Sequence, residues 1–278
     1  MTAFEVQPSG CALGATVRGV DLASLDDDTF DALRASLYEH SVLWVKDQEH
    51  LTDDDQLAFA RRFGPIFRHP AMAAFGITDT RVEVIEDNPD SPPAADKWHT
   101  DVTYAPDPPS VAILRAEIVP ETGGDTLWTS QVKAYAALSE PVRALIDGLI
   151  VQHWPASFIE GVRLKAGNEI ANKMHEVLPS ARHPLVITHP VTGVPVLYAN
   201  RDFCRSIVDL SYVESDRILD LVCEHATLPT FQVRHKWSVG DVAIWDEYAT
   251  QHLASPDHFP QRRRVRRITV EGLGAPSR

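Results

Sequence analysis

The apolar residues of this chain fall in short runs broken by Gly, Pro, Asn and Asp, and runs of that length suit β-strands rather than long helices. Val42–Val45, Val82–Ile85, Val111–Leu114, Thr126–Trp128, Leu149–Val151, Leu185–Thr188 and Val196–Tyr198 are predicted strands. Further on, Phe231, Val233, His235 and Trp237 alternate with polar residues before Gly240-Asp241 turns the chain into Val242–Trp245. Amphipathic helices punctuate these strands. Asp28–His40 carries Phe30, Leu33 and Leu37 on one face, Thr52–Phe63 opens on the capping-box pair Thr52 and Asp55, and Ser211–His225 opens on Ser211 and Glu214. Many short strands with helices outside favour an antiparallel double sheet over a parallel βαβ sheet. The expected fold is mainly β with flanking helices around a jelly-roll, cupin-like core. Asp87–Lys97 and Pro155–His183, Pro-rich or weakly periodic, read as loops at its mouth.

No fixed-period repeat or charged linker divides the 278 residues, so residues 1–278 are expected to form a single domain. No GxGxxG or GxxxxGK[ST] loop follows a predicted strand, which argues against a nucleotide-binding α/β fold. With 26 Lys and Arg against 39 Asp and Glu, a net charge of −13 repels nucleic acid and anionic lipid. No apolar run approaches the roughly 18 residues of a membrane span. Neither nucleic acid nor a membrane is therefore an expected partner. Cys11, Cys204 and Cys223 are odd in number and far apart, and the N-terminus lacks a basic start and apolar core; a cytoplasmic location is expected. Against the acidic whole stands the run Arg262, Arg263, Arg264, Arg266 and Arg267, which calls for an anionic ligand or paired carboxylates.

The segment with most chemistry is Lys97-Trp98-His99-Thr100-Asp101-Val102-Thr103-Tyr104. In an extended chain residues i and i+2 point the same way, so His99 and Asp101 can offer an imidazole and a carboxylate to one metal ion. Completed by a second histidine, such a set leaves three adjacent positions open on iron(II), as a bidentate cosubstrate and dioxygen together require. An isolated HxD is a weak signal, since a loop histidine or a satisfied polar pair is commoner. A second half follows in Gly240–Asp246, which leads through Thr250-Gln251 to His252, and in the strand beginning at Arg263.

HTDVTY, GGDTLW from Gly123 to Trp128, DVAIWD, TQH and the arginine-rich RRVRRIT ending together resemble the taurine dioxygenase (TauD/TfdA) family of iron(II)/2-oxoglutarate-dependent dioxygenases, from about Gly14 to Gly272. The resemblance implies a double-stranded β-helix, with Fe(II) held by His99, Asp101 and His252, and with 2-oxoglutarate and O2 as cosubstrates. It implies that Arg267 clamps the distal carboxylate of 2-oxoglutarate with help from Thr126, and that Arg263 lies near the cosubstrate and an anionic substrate head. It further implies a homo-oligomer, dimer or tetramer. The reaction implied is hydroxylation of a substrate C–H coupled to conversion of 2-oxoglutarate to succinate and carbon dioxide.

By the same resemblance His69 hydrogen-bonds the substrate's anionic head, while Ser157, Phe158 and Phe203 line the cavity. The taurine-using pattern has a tyrosine shortly after that histidine and an asparagine just before WHTD; here Met72 and Ala95 stand instead. Losing both polar groups leaves a substrate ammonium without partners, which is costly. The expected substrate is therefore a small anion with an apolar tail, an alkyl sulfonate or alkyl sulfate. A carboxylate such as a phenoxyalkanoate or amino acid is the alternative within the family, and a non-catalytic cupin-like metal-binding protein the alternative outside it.

Overall fold

Period-two alternation divides one short strand between two cores. Val42 and Trp44 pack with Trp128 and Trp245, whereas Leu43 and Val45 pack with Phe30, Leu33 and Phe59. A computed structural model describes residues 4–76, 82–93 and 96–278 and shows how the other strands repeat this division.

The strands up to the first site loop are β1 (Glu5–Pro8), β2 (Ala15–Arg18), β3 (Val42–Val45) and β4 (Glu83–Asp87). Next come β5 (Val111–Ile118), β6 (Thr126–Ser130), β7 (Ile150–His153), β8 (Ala181–Pro184), β9 (Val186–Thr188), β10 (Pro195–Leu197) and β11 (Cys204–Ile207). The last are β12 (Gln232–His235), β13 (Val242–Asp246), β14 (Thr250–Ala254) and β15 (Arg263–Val270). The helices are α1 (Asp27–His40), α2 (Asp53–Arg61), α3 (Gln131–Ala137), α4 (Glu140–Ile146), α5 (Ala156–Val177) and α6 (Tyr212–Ala226). Thr52 and Ser211 form the expected capping boxes of α2 and α6. Among the described residues, no helix is long and apolar enough to cross a membrane.

A seven-stranded sheet runs in the order β1-β2-β3-β13-β5-β15-β4, and a three-stranded sheet in the order β12-β6-β14. All pairings within them are antiparallel except β2 with β3. Trp44, Leu114, Trp245 and Val265 of the large sheet share one apolar cluster with Trp128 and Val233 of the small sheet, so the two sheets face each other. On the opposite side of the large sheet, Leu43, Ile113, Ile244 and Ile268 pack with Phe30, Leu33 and Leu37 of α1 and Phe59 of α2. The architecture is thus mainly β with flanking helices. The odd positions of β15 face the small sheet and the even ones face the helices or solvent, which sorts the arginine run. Arg262, Arg264 and Arg266 pair with Glu86, Glu117 and Asp53, while Arg263 is 4% exposed.

One predicted loop is a helix. Pro155–His183 contains α5, 22 residues long, followed by β8. Its buried stripe is thin, Ile159, Ala171 and Met174, and Gly167 at φ 85° breaks the helical path midway, so little periodicity reaches the sequence. The buried face of α5 joins Val102, Tyr104 and Phe203 in an apolar cluster.

Beneath that cluster His153 of β7 is wholly buried, with Nδ1 2.9 Å from Thr103 Oγ1. Burial, reinforced by the nearby His183, pushes its pKa down to about 3 from an ordinary 6.5. The unfolded chain therefore takes up a proton that the folded chain refuses as pH falls below 6.5, and stability present above that pH is lost towards pH 3. From this group alone the expected loss between pH 7 and pH 5 is about 2 kcal/mol. Urea denaturation at the two pH values should show it, and His153→Gln should flatten the slope.

Candidate metal centre and active site

His99 is brought to His252 by a two-residue bridge: the His99 N–H donates to the His252 carbonyl at 3.1 Å and the His252 N–H to the His99 carbonyl at 2.8 Å. His99 Nδ1 donates to the Lys97 carbonyl at 2.7 Å, which leaves Nε2 free as a ligand. His99 Nε2 lies 3.5 Å and His252 Nε2 3.9 Å from Asp101 Oδ1. One donor atom from each of the three residues lies within 4.8 Å of the others, a set that could hold a metal ion. Two imidazoles and a carboxylate are the donor set of open, facial non-haem iron sites, so the residues present fit such an ion. Asp101 is not on a strand; the chain turns immediately after it, with Val102 at φ 52°.

The other oxygen of Asp101 is taken by Arg267, whose Nη1 donates to Oδ2 at 2.9 Å. Nε and Nη2 of Arg267 both donate to Glu83 Oε2, at 3.0 and 2.7 Å. Burial opposes ionisation of Asp101, but Arg267 and the two histidines overrule it and hold the carboxyl well below the usual range. For His252 burial dominates, helped by His99, and the pKa falls to about 3. At neutral pH the cluster thus offers a carboxylate and a neutral imidazole at His252, a state ready for a cation.

Among the described residues Arg267 hydrogen-bonds only to Asp101 and Glu83, and Arg263 reaches the segment that leads into Thr126. Arg263 Nε donates to the Gly124 carbonyl at 3.0 Å, two residues before Thr126, and Asp87 lies 3.9 Å from its Nη1. Thr126 is 3% exposed and its hydroxyl accepts from Trp237 Nε1 at 3.0 Å. The two arginines thus sit in different surroundings, Arg267 against Asp101 and Glu83 and Arg263 against Gly124 and Asp87.

His69 Nδ1 accepts from the Ala71 N–H at 3.1 Å, so a neutral His69 carries its proton on Nε2, 3.4 Å from the Tyr104 hydroxyl. Burial, then the neighbouring Arg267, lowers the His69 pKa. The Phe158 ring is 5.7 Å from His69, and Phe203 meets His99 at 6.4 Å and Tyr104 at 5.1 Å, both edge to face. Ser157 accepts from Arg205 Nη2 at 3.3 Å. Met72 is half-buried in the 3-10 turn Pro70–Phe75, and Ala95 lies outside the described residues. The structure thus joins Phe158, His69, Tyr104 and Phe203 in a chain of contacts that ends on His99. Sequence reasoning passed over four residues of this neighbourhood: Tyr104, Glu83, Asp202 and Glu247. Only Tyr104 and Glu247 carry a local signal, each adjoining a metal-site motif.

A β fold with a His–Asp–His cluster and an adjoining guanidinium is the arrangement of a non-haem metal oxygenase. The profile of the taurine catabolism dioxygenase TauD, TfdA family matches residues 5–269, and the chain belongs to this family. An alkylsulfatase of Acinetobacter baylyi is 37% identical over 94% of this chain and 82% of its own length. An alpha-ketoglutarate-dependent sulfate ester dioxygenase of Pseudomonas putida is 35% identical over 97% of this chain and 90% of its own. The crystal structure of a taurine dioxygenase from Burkholderia xenovorans superposes with a TM-score of 0.81 at 38% identity, covering 99% of this chain and 91% of that one.

Gly124 holds the Arg263 end together at φ 71°, where an added Cβ would come within 2.9 Å of Pro120 Cγ and 3.2 Å of Arg263 Cδ. Gly124→Ala is expected to destabilise the fold by about 1–3 kcal/mol, through left-handed strain and the displaced arginine. A lowered midpoint in thermal unfolding checks this.

Proposed function

We propose that this 2-oxoglutarate-dependent dioxygenase acts on a small sulfur anion with an apolar tail, an alkyl sulfate ahead of taurine, with iron(II) held by His99, Asp101 and His252. The observation that carries the reading is the division of Asp101, one oxygen towards two imidazole nitrogens and the other towards a guanidinium. The two facing sheets are read as a double-stranded β-helix, and residues 1–278 as one domain. When bound, iron(II) with 2-oxoglutarate and O2 supplies the oxidising chemistry that hydroxylates a substrate C–H.

The protein's own residues bind, orient and exclude water. Arg263 and Thr126 take the distal carboxylate of 2-oxoglutarate, and Arg267 with His69 Nε2–H takes the substrate's anionic head, so the two arginines exchange the roles that the resemblance suggested. Support comes from the bond linking Arg263 to Gly124 and from the position of Arg267 beside His69 and the metal ligands. A guanidinium can bind each oxyanion through two parallel N–H groups, which a lysine would not match. Phe158, Phe203 and the apolar cluster on α5 receive the tail. Hydroxylation at a carbon bearing a sulfate ester leaves an adduct that collapses to an aldehyde and sulfate.

His99→Ala, Asp101→Ala and His252→Ala should each abolish substrate-dependent succinate release. Arg263→Ala should raise KM for 2-oxoglutarate, and Arg267→Ala KM for the sulfur substrate, each tenfold or more, since breaking a buried charged pair costs about 2–5 kcal/mol. The opposite split would restore the roles first expected.

One observation favours taurine as a second reading. Among the described residues Asp202 Oδ1, next to Phe203, is buried without a hydrogen-bond partner, with Lys97 Nζ 3.9 Å away, and it is the acid a substrate ammonium would seek. A competition assay with taurine, butanesulfonate and hexyl sulfate decides between them. The longer tails should win by tenfold or more, since each buried methylene is worth ~0.8 kcal/mol. Taurine winning would hand the tail pocket to Asp202.

A further inference from the structure

The loop of His99 and Asp101 belongs to none of the named strands and is stapled to β14 and to the turn that precedes it. Besides the His99–His252 bridge, the Thr100 hydroxyl donates to the Thr250 carbonyl at 2.7 Å, and the Asp101 N–H donates to Glu247 Oε2 at 3.0 Å. The last staple is physically unlike the others. Glu247 is 0% exposed, and among the described residues its buried Oε1 has no hydrogen-bond partner. The residue whose N–H it accepts, Asp101, carries a carboxylate of the same sign of charge. Burying an acid without a cation of its own is unfavourable for folding, and an apolar side chain of similar size would fill the space more cheaply. Immediately beyond the bonded peptide, Val102 is forced to φ 52°, a conformation a β-branched residue adopts only when held there.

Resting on the metal reading above, we propose that Glu247 is a positioning residue. Its acceptor oxygen fixes the Asp101 main chain so that Oδ1 faces His99 and His252 while Oδ2 faces Arg267, and this pre-set orientation determines metal affinity. The hydrogen bond by which Glu247 reaches the metal residues comes from the backbone N–H of Asp101, so its effect is expected on metal binding without substrate or 2-oxoglutarate.

The test uses the full chain stripped of metal, with Co(II) as the probe, and reads the Kd by calorimetry alongside thermal unfolding with and without Co(II). Glu247→Gln keeps a carbonyl acceptor in the same place, whereas Glu247→Leu keeps the bulk without it. The glutamine variant should bind Co(II) within about threefold of the unsubstituted chain. The leucine variant should bind roughly 10–100-fold more weakly, the usual cost of losing a residue that orients a ligand. Its Co(II)-induced rise in Tm should shrink accordingly. A merely structural residue would lower the Tm of the metal-free chain and leave the Kd unchanged. The inference is overturned if the leucine variant binds as tightly as the unsubstituted chain, or if glutamine binds as weakly as leucine. Should the leucine variant not fold, Glu247→Asp, one methylene too short to reach, is read the same way. Failure of the unsubstituted chain to bind Co(II) would instead overturn the metal reading, and this inference with it.

Discussion

A single buried carboxylate, that of Asp101, sets the terms for everything around it. A charge that is 5% exposed needs compensation, and in a chain of net charge −13 it must come from specific neighbours. Arg267 supplies it on one oxygen, and two imidazole nitrogens stand ready on the other. Arg267 in turn is held from behind by Glu83 of the edge strand β4, so the charge balance at the metal end draws in the outermost strand of the large sheet. Were Asp101 neutral or swung aside, both Arg267 and the histidines would lose their reason for converging.

The apolar framework delivers these groups with little freedom. Tryptophans from three strands, Trp44, Trp128 and Trp245, fill the space between the sheets, and Trp245 also lies 4.9 Å from the His252 ring. Close-packed aromatic rings transmit position, so the wall that stabilises the sandwich also orients a ligand histidine. On the other flank α5, Tyr104 and Phe203 make a dry surface beside His99. Charge and oil thus meet at one histidine, a layout suited to an anion with a greasy end.

What was legible in the sequence was local. His99, Asp101 and His252 sit in short motifs whose chemistry can be recognised within a few residues, and the strands and capped helices that frame them follow from alternation and cap pairs. The roles of Arg263 and Arg267 were not legible in the same way. Both lie on one face of one strand, and what distinguishes their surroundings is Gly124, Asp87 and Glu83, residues far away in sequence. The helix α5 escaped because a kink at Gly167 and a sparse apolar stripe erase the period on which recognition rests. Glu247 escaped because, although it adjoins the DVAIWD motif, nothing in a sequence says that a glutamate is buried.

The two faces of β15 have a consequence for how this protein can change. Its odd-numbered arginines reach the site and its even-numbered ones are tied to Glu86, Glu117 and Asp53 on the far side, with Val265 wedged in the core between them. A slip of one residue would exchange the two sets, exposing Arg263 and Arg267 and burying the surface pairs. The strand is therefore closed to gradual evolutionary drift from both sides at once. An insertion or deletion of one residue within β15 would part Arg267 from Asp101 and Arg264 from Glu86 together.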